Sequence, residues 1–349
     1  MPPPPTSSCA LVLPAIGQEL SLVDMPLRAP GRDEVLIAVR AAGICHSDEH
    51  YRTGHSPVAH WPLILGHEIA GVIVAVGNGV PEERLGQRVC VHYVLSCGDC
   101  ASCRRGREQF CDAYGMIGLT HDGGFAEHIV VPAVNAIRLP EAVSFAQGAI
   151  LMCAGATAFH AISRSRFSSG ETVAVVGVGG VGMLALQIAF ALGARSVIAL
   201  DTDETKLHLA AQLGAWPVDA RNANAAAEVR SATAGEGVDV ALDCTGLPST
   251  TRLAIDVLGV HGRAVAIGLA GEPVQVHTYT DFLARETELL GSNDHLVAEL
   301  PLLLDLAARG LLPLDVLALR TVPLEARAVN SVLAELRAYH APVRTVITP

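Results

Sequence analysis

The feature that most constrains this chain is an apolar strand running straight into a glycine turn. Thr172-Val-Ala-Val-Val176 has strand length, Gly177-Val178-Gly179-Gly180-Val181-Gly182 follows at once, and Met183 to Leu192 is an apolar run of helix length. In such a unit the glycines permit a tight turn, let the backbone approach a pyrophosphate and let the helix pack on the strand. The helix N-terminus offers unpaired N–H donors to the same anion. A second strand, Ser196 to Leu200, ends on Asp201, about 20 residues beyond the last glycine, where a carboxylate accepts from a ribose 2′-hydroxyl and repels a 2′-phosphate. The expected cofactor is therefore NAD. Lys206, the only lysine among 24 basic residues, has two readings: it reaches the adenosine ribose, or it is a solvated helix residue.

With 349 residues the chain has room for two domains. The alternation of strand and helix continues after Lys206, with strands at Val238–Leu242, Arg263–Gly268 and Glu288–Ser292 and a helix from Ser249 to Leu258, which predicts a parallel, doubly wound sheet. Before it, short apolar runs with Pro and Gly turns predict a β-rich domain. Strands are expected at Glu34–Arg40, at Ile69–Val76 and around Gly123–Val131, with a helical stretch from Leu139 to Ile150. After it, Ala298–Arg309 and Leu324–Tyr339 read as amphipathic helices and 343–348 as a closing strand. The proline-rich start is expected to be mobile, since proline cannot donate to a ladder.

Charge and hydropathy exclude several function classes. A net charge of −11, with no basic cluster beyond Arg104-Arg105-Gly-Arg107, argues against a nucleic-acid partner. No apolar run is expected to reach the roughly 18 uncharged residues that span a bilayer, and the start lacks a signal core. The expectation is a cytoplasmic protein without a membrane partner, in which nine cysteines point to metal or catalysis before disulfides.

Cysteine spacing decides between those uses. Cys97, Cys100, Cys103 and Cys111 place four thiolates in one loop, enough to close a tetrahedron around Zn²⁺ and leave no position for substrate, which makes the site structural. The long last gap fits neither common ferredoxin spacing. Gly43-Ile-Cys45-His46-Ser47-Asp48-Glu49-His50, Leu65-Gly66-His67-Glu68 and Leu151-Met-Cys153-Ala-Gly155-Ala-Thr157 add further ligand types, each ambiguous alone. Cys9, Cys90 and Cys244 default to packing or free thiols.

Together these segments, in this order over nearly the whole chain, resemble the zinc-containing alcohol dehydrogenases of the medium-chain dehydrogenase/reductase superfamily. The resemblance implies a GroES-like catalytic domain, residues 1–153 and 294–349, and a Rossmann NAD-binding domain, residues 154–293, with the active site in the cleft. It implies two Zn²⁺ per chain: a catalytic ion on Cys45, His67 and Cys153 with its fourth position open to an alcohol oxygen, and the structural ion on the four-cysteine loop. Asp48 supports the ligand histidine, Glu68 lies behind the metal, Ser47 takes the alcohol proton and His50 relays it to solvent.

The same resemblance implies cofactor contacts at His46, Thr157, Ile267, Gly268, Leu269, Ser292 and Arg344, and a substrate pocket lined by Tyr51, Trp61, Tyr93 and Leu119. The implied reaction moves a hydride between a primary or secondary alcohol and NAD, in a homotetramer or dimer. A polyol or sugar dehydrogenase is the enzymatic alternative, and a non-catalytic NAD-binding redox sensor the alternative of another class.

Overall fold

The computed structural model describes residues 5–269, 271–317, 319–338 and 343–349. The first four residues of the proline-rich start and Tyr339, the expected end of the last helix, lie outside them. Two compact units emerge. One holds the residues up to Cys153, Leu296–Ala308 and the segment from 319 onward; the other holds Ala154–His295 and Arg309–Leu317.

In the first unit a mixed, largely antiparallel sheet is built on the long strand Glu34–Ile44. It pairs antiparallel with Glu68–Val76, with His128–Pro132 and with Thr345–Thr348, and Arg88–Val91, Ala136–Arg138 and Arg320–Pro323 extend the sheet. Glu34–Ile44 is buried at nearly every position because neighbours cover both its faces. It runs four residues past the expected Arg40 and delivers Gly43 and Ile44 to the start of a helix, His46–Thr53. The sequence reading did not anticipate that helix, since its polar composition hides any apolar stripe. Its start is held by Asp48, whose Oδ2 accepts from the Cys45 amide at 2.8 Å, and its end by Gly54 in the left-handed conformation, φ 81°.

The second unit carries a six-stranded parallel sheet in the order Trp216–Asp219, Ser196–Asp201, Thr172–Val176, Val238–Asp243, Leu258–Ala266, Glu288–Gly291. The expected doubly wound sheet is present, with the order that reverses beside the first strand and so opens a crevice at the strands' C-terminal ends. Thr172–Val176 is buried throughout, and the helix Gly180–Ala191 is apolar around its circumference apart from the buried Gln187, as suits a central helix. The expected end of one helix at Leu258 is corrected: that helix is Pro248–Asp256, and Leu258 opens the next strand, paired with Val238. The apolar run there suits either period, and the ladder decides between them.

A second correction concerns the apolar run. Phe145–Arg164 is one continuous 20-residue helical stretch, uncharged until its last residue and apolar enough by length and composition to cross a membrane. Inside the protein 72% of its apolar window is buried, which is the state of a core helix. At Leu151–Gly155 it widens into a π-helical turn that carries Cys153, a distortion common where a helix must present a functional side chain.

Candidate active site

Three segments converge inside the first unit. Cys45 follows the long strand, His67 precedes Glu68–Val76, and Cys153 lies on the π turn; their ligand atoms and a carboxylate oxygen of Glu68 all fall within 4.8 Å of one another. His67 and Glu68 have no solvent exposure. Neither ring nitrogen of His67 makes a well-formed hydrogen bond, and Glu68 Oε1 has no partner either. Buried polar atoms left unpaired in this way are costly unless another group satisfies them, and two sulfurs and an imidazole form a donor set suited to Zn²⁺.

Asp48 organises the cluster. Its Oδ1 accepts from Gly66 N at 3.2 Å and lies 3.4 Å from His67 Nδ1, while Oδ2 holds the Cys45 amide, so one carboxylate ties both ligand-bearing segments. Burial pulls the His67 pKa down, but Asp48 and Cys45 outweigh it and raise it to about 10. The Cys45 thiol is pulled well below its ordinary value, first by the hydrogen bond from Cys153 and, against burial, by His67. A dication here would be held by the Cys45 thiolate and the neutral His67 imidazole, at the cost of the imidazole proton.

Arg344, expected at the cofactor, is only 5% exposed and donates through Nη2 to Glu68 Oε2. Burial lowers its pKa, while the nearby Cys45 sulfur and Asp48 carboxylate support its charge. Tyr51 and Tyr93, expected in the substrate pocket, are buried around His67: Tyr93 meets the His67 ring edge-on at 5.1 Å, and Tyr51 donates to Met116 Sδ at 3.6 Å. Trp61 stands 37% exposed, and Leu119 packs partly buried against the core. Ser47 Oγ is 3.7 Å from Cys45 Sγ, and the His50 ring lies 4.9 Å from that of His46.

The four-cysteine loop is framed by the short antiparallel pair Val94–Leu95 and Gly115–Met116. Its sulfur separations are 4.0 Å for Cys97–Cys103, 4.0 Å for Cys100–Cys111 and 3.5 Å for Cys97–Cys111. Four sulfurs about 2.3 Å from a tetrahedral zinc stand about 3.8 Å apart, whereas a disulfide needs about 2.05 Å. Backbone N–H groups point at the sulfurs, from Cys97 and Ala113 to Cys111 and from Cys100 to Cys97, all at 3.3 to 3.4 Å. Donors from Cys103 and Asp112 lower the Cys100 pKa to about 6. Asp99 raises Cys97 and burial raises Cys103, so Cys100 is the thiolate the loop favours first, and the sulfur spacing suits a tetrahedral cation.

In the second unit three of the four turn glycines, Gly177, Gly179 and Gly182, divide the tasks. Gly177 has φ 86° and faces Thr245; a Cβ on Gly182 would strike the Gly177 carbonyl; a Cβ on Gly179 would meet nothing within 4 Å. The first glycine therefore serves the turn, the last serves helix-to-strand packing, and the middle one leaves the open approach a pyrophosphate needs. Asp201 accepts from Val178 N at 2.8 Å through Oδ2 and from Thr202 N and Asp203 N through Oδ1, locking the turn to the second strand's end. Lys206 Nζ lies 3.9 Å from Asp203.

Asp243 escaped the sequence reading. Buried at the fourth strand's end, it accepts from Thr245 N, Gly246 N and Thr251 Oγ1, while its carbonyl takes Ile267 N and Gly268 N. The Asp-Cys-Thr-Gly run after an apolar strand was the available signal. Leu269 is 70% exposed, and the buried Ser292 hydroxyl has no hydrogen-bond partner. Two clefts, of about 600 and 230 Å³, lie along Arg138, Pro140, Leu304 and Asp305 and along Thr172, Arg195 and Glu236. Neither is lined by a ligand-bearing residue, so the site is located by donor chemistry.

Two family models match the chain: the alcohol dehydrogenase GroES-like domain over residues 31–141 and the zinc-binding dehydrogenase domain over 180–309. The chain belongs to the zinc-type alcohol dehydrogenase family of the medium-chain dehydrogenases, and is an oxidoreductase. Among its relatives, an NAD-dependent alcohol dehydrogenase of Sulfurisphaera tokodaii is 33% identical, covering 81% of this chain and 84% of the relative. The sorbitol dehydrogenase of Bacillus subtilis is 33% identical over 73% of each. A zinc-binding dehydrogenase of Sinorhizobium meliloti, solved with NADP, superposes with a TM-score of 0.89 at 30% identity, over 99% of this chain and all of the other. These memberships set aside the non-catalytic alternative.

Proposed function

We propose that this chain is an NAD-dependent zinc alcohol dehydrogenase that oxidises a primary or secondary alcohol to its aldehyde or ketone, and runs the reverse reduction. The observation that carries the reading is the buried meeting of Cys45, His67 and Cys153, in which neither His67 ring nitrogen has a well-formed hydrogen bond. These three hold the catalytic ion, and Cys97, Cys100, Cys103 and Cys111 hold a second, structural one. When bound, Zn²⁺ supplies Lewis acidity toward an alcohol oxygen and NAD supplies the hydride acceptor.

The chain's own residues do the rest. Asp48 keeps Cys45 and His67 in register, and Glu68 with Arg344 keeps a carboxylate charge close behind them. Ser47 Oγ takes the alcohol proton and His50 carries it outward. Burial, and then the neighbouring His46 and His55, lower the His50 pKa, so the ring is neutral and ready to accept at neutral pH. The glycine turn receives the pyrophosphate together with His46; Asp201, with Lys206 on the following helix, takes the adenosine ribose and disfavours a 2′-phosphate, which selects NAD over the NADP held by the Sinorhizobium relative. Thr157, Ile267, Gly268, Leu269 and Ser292 serve the nicotinamide end. Tyr51, Trp61, Tyr93 and Leu119 bound the substrate side, the two tyrosines through the buried packing around His67.

The reading is tested by NADH formation across primary, secondary, aromatic and polyhydric alcohols, with and without a zinc chelator and with NADP in place of NAD. Chelator-sensitive turnover of simple alcohols with NAD is expected. Turnover confined to polyols moves the assignment to the polyol dehydrogenases, a reading favoured by the similarity to sorbitol dehydrogenase. We place the enzyme in the cytoplasm as a homotetramer; a monomer mass by light scattering overturns the assembly.

A further inference from the structure

Three imidazoles stand in file, His46 and His50 on the helix His46–Thr53 and His55 just beyond its Gly54 cap. The His46 and His50 ring centroids are 4.9 Å apart, those of His50 and His55 5.5 Å, and exposure increases from the half-buried His50 to the exposed His55. We propose that His55 is the outer member of the proton relay, taking the proton from His50 and releasing it to water. This rests on the reading of Ser47 and His50 given above.

The geometry around His55 prepares it for that step. Its amide donates to His50 O at 2.9 Å, which fixes the turn holding the two rings together. Its Nδ1 lies 2.8 Å from Thr53 Oγ1, and that hydroxyl donates its single proton to Glu49 O at 2.7 Å. With the hydroxyl proton on Glu49 O, Thr53 accepts from Nδ1, and in that tautomer the neutral ring carries its hydrogen there and leaves Nε2 as the base. A proton leaving the His50 imidazolium binds Nε2 of His55, making His55 the cation and His50 neutral; His55 then gives one proton to solvent and regains its starting tautomer. Rings with centroids 5.5 Å apart are near enough to pass a proton between facing nitrogens through one water.

The charged groups bearing most on His50 are His46 and His55, which oppose its cation, and Cys45 and Glu49, which favour it. The helix Ala326–Arg337, which packs on the same helix, contributes none of these.

The test compares the zinc-loaded wild type with His55→Gln and Thr53→Val, measuring alcohol oxidation against pH in dilute buffer and then with added imidazole. Loss of His55 is expected to slow oxidation on the order of tenfold on the acid side, less than the 10²-fold or more typical of a directly acting acid–base group, and imidazole is expected to restore it. Thr53→Val gives a smaller loss of the same shape. In NMR titrations, independent of turnover, the His50 ring titrates at higher pH in His55→Gln because an opposing imidazole is gone. An unchanged rate, or a loss that imidazole does not relieve, overturns the role of His55. An active enzyme indifferent to His50→Gln overturns the underlying relay instead.

Discussion

Asp48 Oδ1 lies 3.4 Å from His67 Nδ1, and the other oxygen of the same carboxylate holds the Cys45 amide at 2.8 Å. The two segments that carry Cys45 and His67 are thus set by one fully buried side chain. Asp48→Asn keeps the shape and removes the charge. Zinc affinity at the catalytic site is expected to fall about 10- to 100-fold, read by chelator competition, while the structural site keeps its ion.

The ion pair behind the site makes a second, sharper prediction. Arg344 and Glu68 are both buried, so Arg344→Met leaves a carboxylate without its partner and is expected to cost about 3–5 kcal/mol in denaturant unfolding. Adding Glu68→Gln should recover a large part of that loss. A double variant no more stable than the single one shows that the pair is not coupled.

The glycine turn separates binding from folding. Gly179→Ala meets open space, so thermal stability is expected to stay near wild type while the KM for NAD rises at least tenfold. Gly182→Ala drives a methyl into the Gly177 carbonyl and is expected to lower Tm with or without cofactor. Differential scanning fluorimetry with an NAD titration checks both.

Removing one thiolate from the four-cysteine loop, as in Cys103→Ser, is expected to reduce bound zinc from two ions per chain to one and to lower Tm, with chemistry still detectable below the new Tm. Elemental analysis beside thermal melts decides it.

His128 carries a pH prediction. Burial lowers its pKa, Glu127 opposing and Arg40 assisting, so the folded protein holds it neutral. Above the unfolded value of about 6.5 both states are neutral and His128 makes no difference; as pH falls below about 6.5 the unfolded chain binds the proton first and stability declines, until the lower folded pKa is passed. His128→Gln should flatten that decline. Unfolding midpoints measured from about pH 7.5 to pH 5 test the slope.

The legible parts of this chain share a physical character. The strand, the glycine turn, the helix and Asp201 form one local unit whose conformations follow from residues adjacent in sequence, and the four cysteines close a site within one loop. Both were readable because local spacing sets their geometry. The ladder, by contrast, assigned Leu258 to a strand, and packing turned the long apolar run Phe145–Arg164 into a core helix with a π turn at Cys153. Only tertiary structure brought Arg344 onto Glu68, set Tyr51 and Tyr93 around His67, and gave Asp243 its buried place under the adjoining turns. Those relations join residues up to 276 positions apart, and no period or local spacing records them. The amino-acid order determined which donors exist and which short units form; the packed sheets determined which donors meet, because burial leaves a charge or a lone pair only the partners that the fold brings within reach.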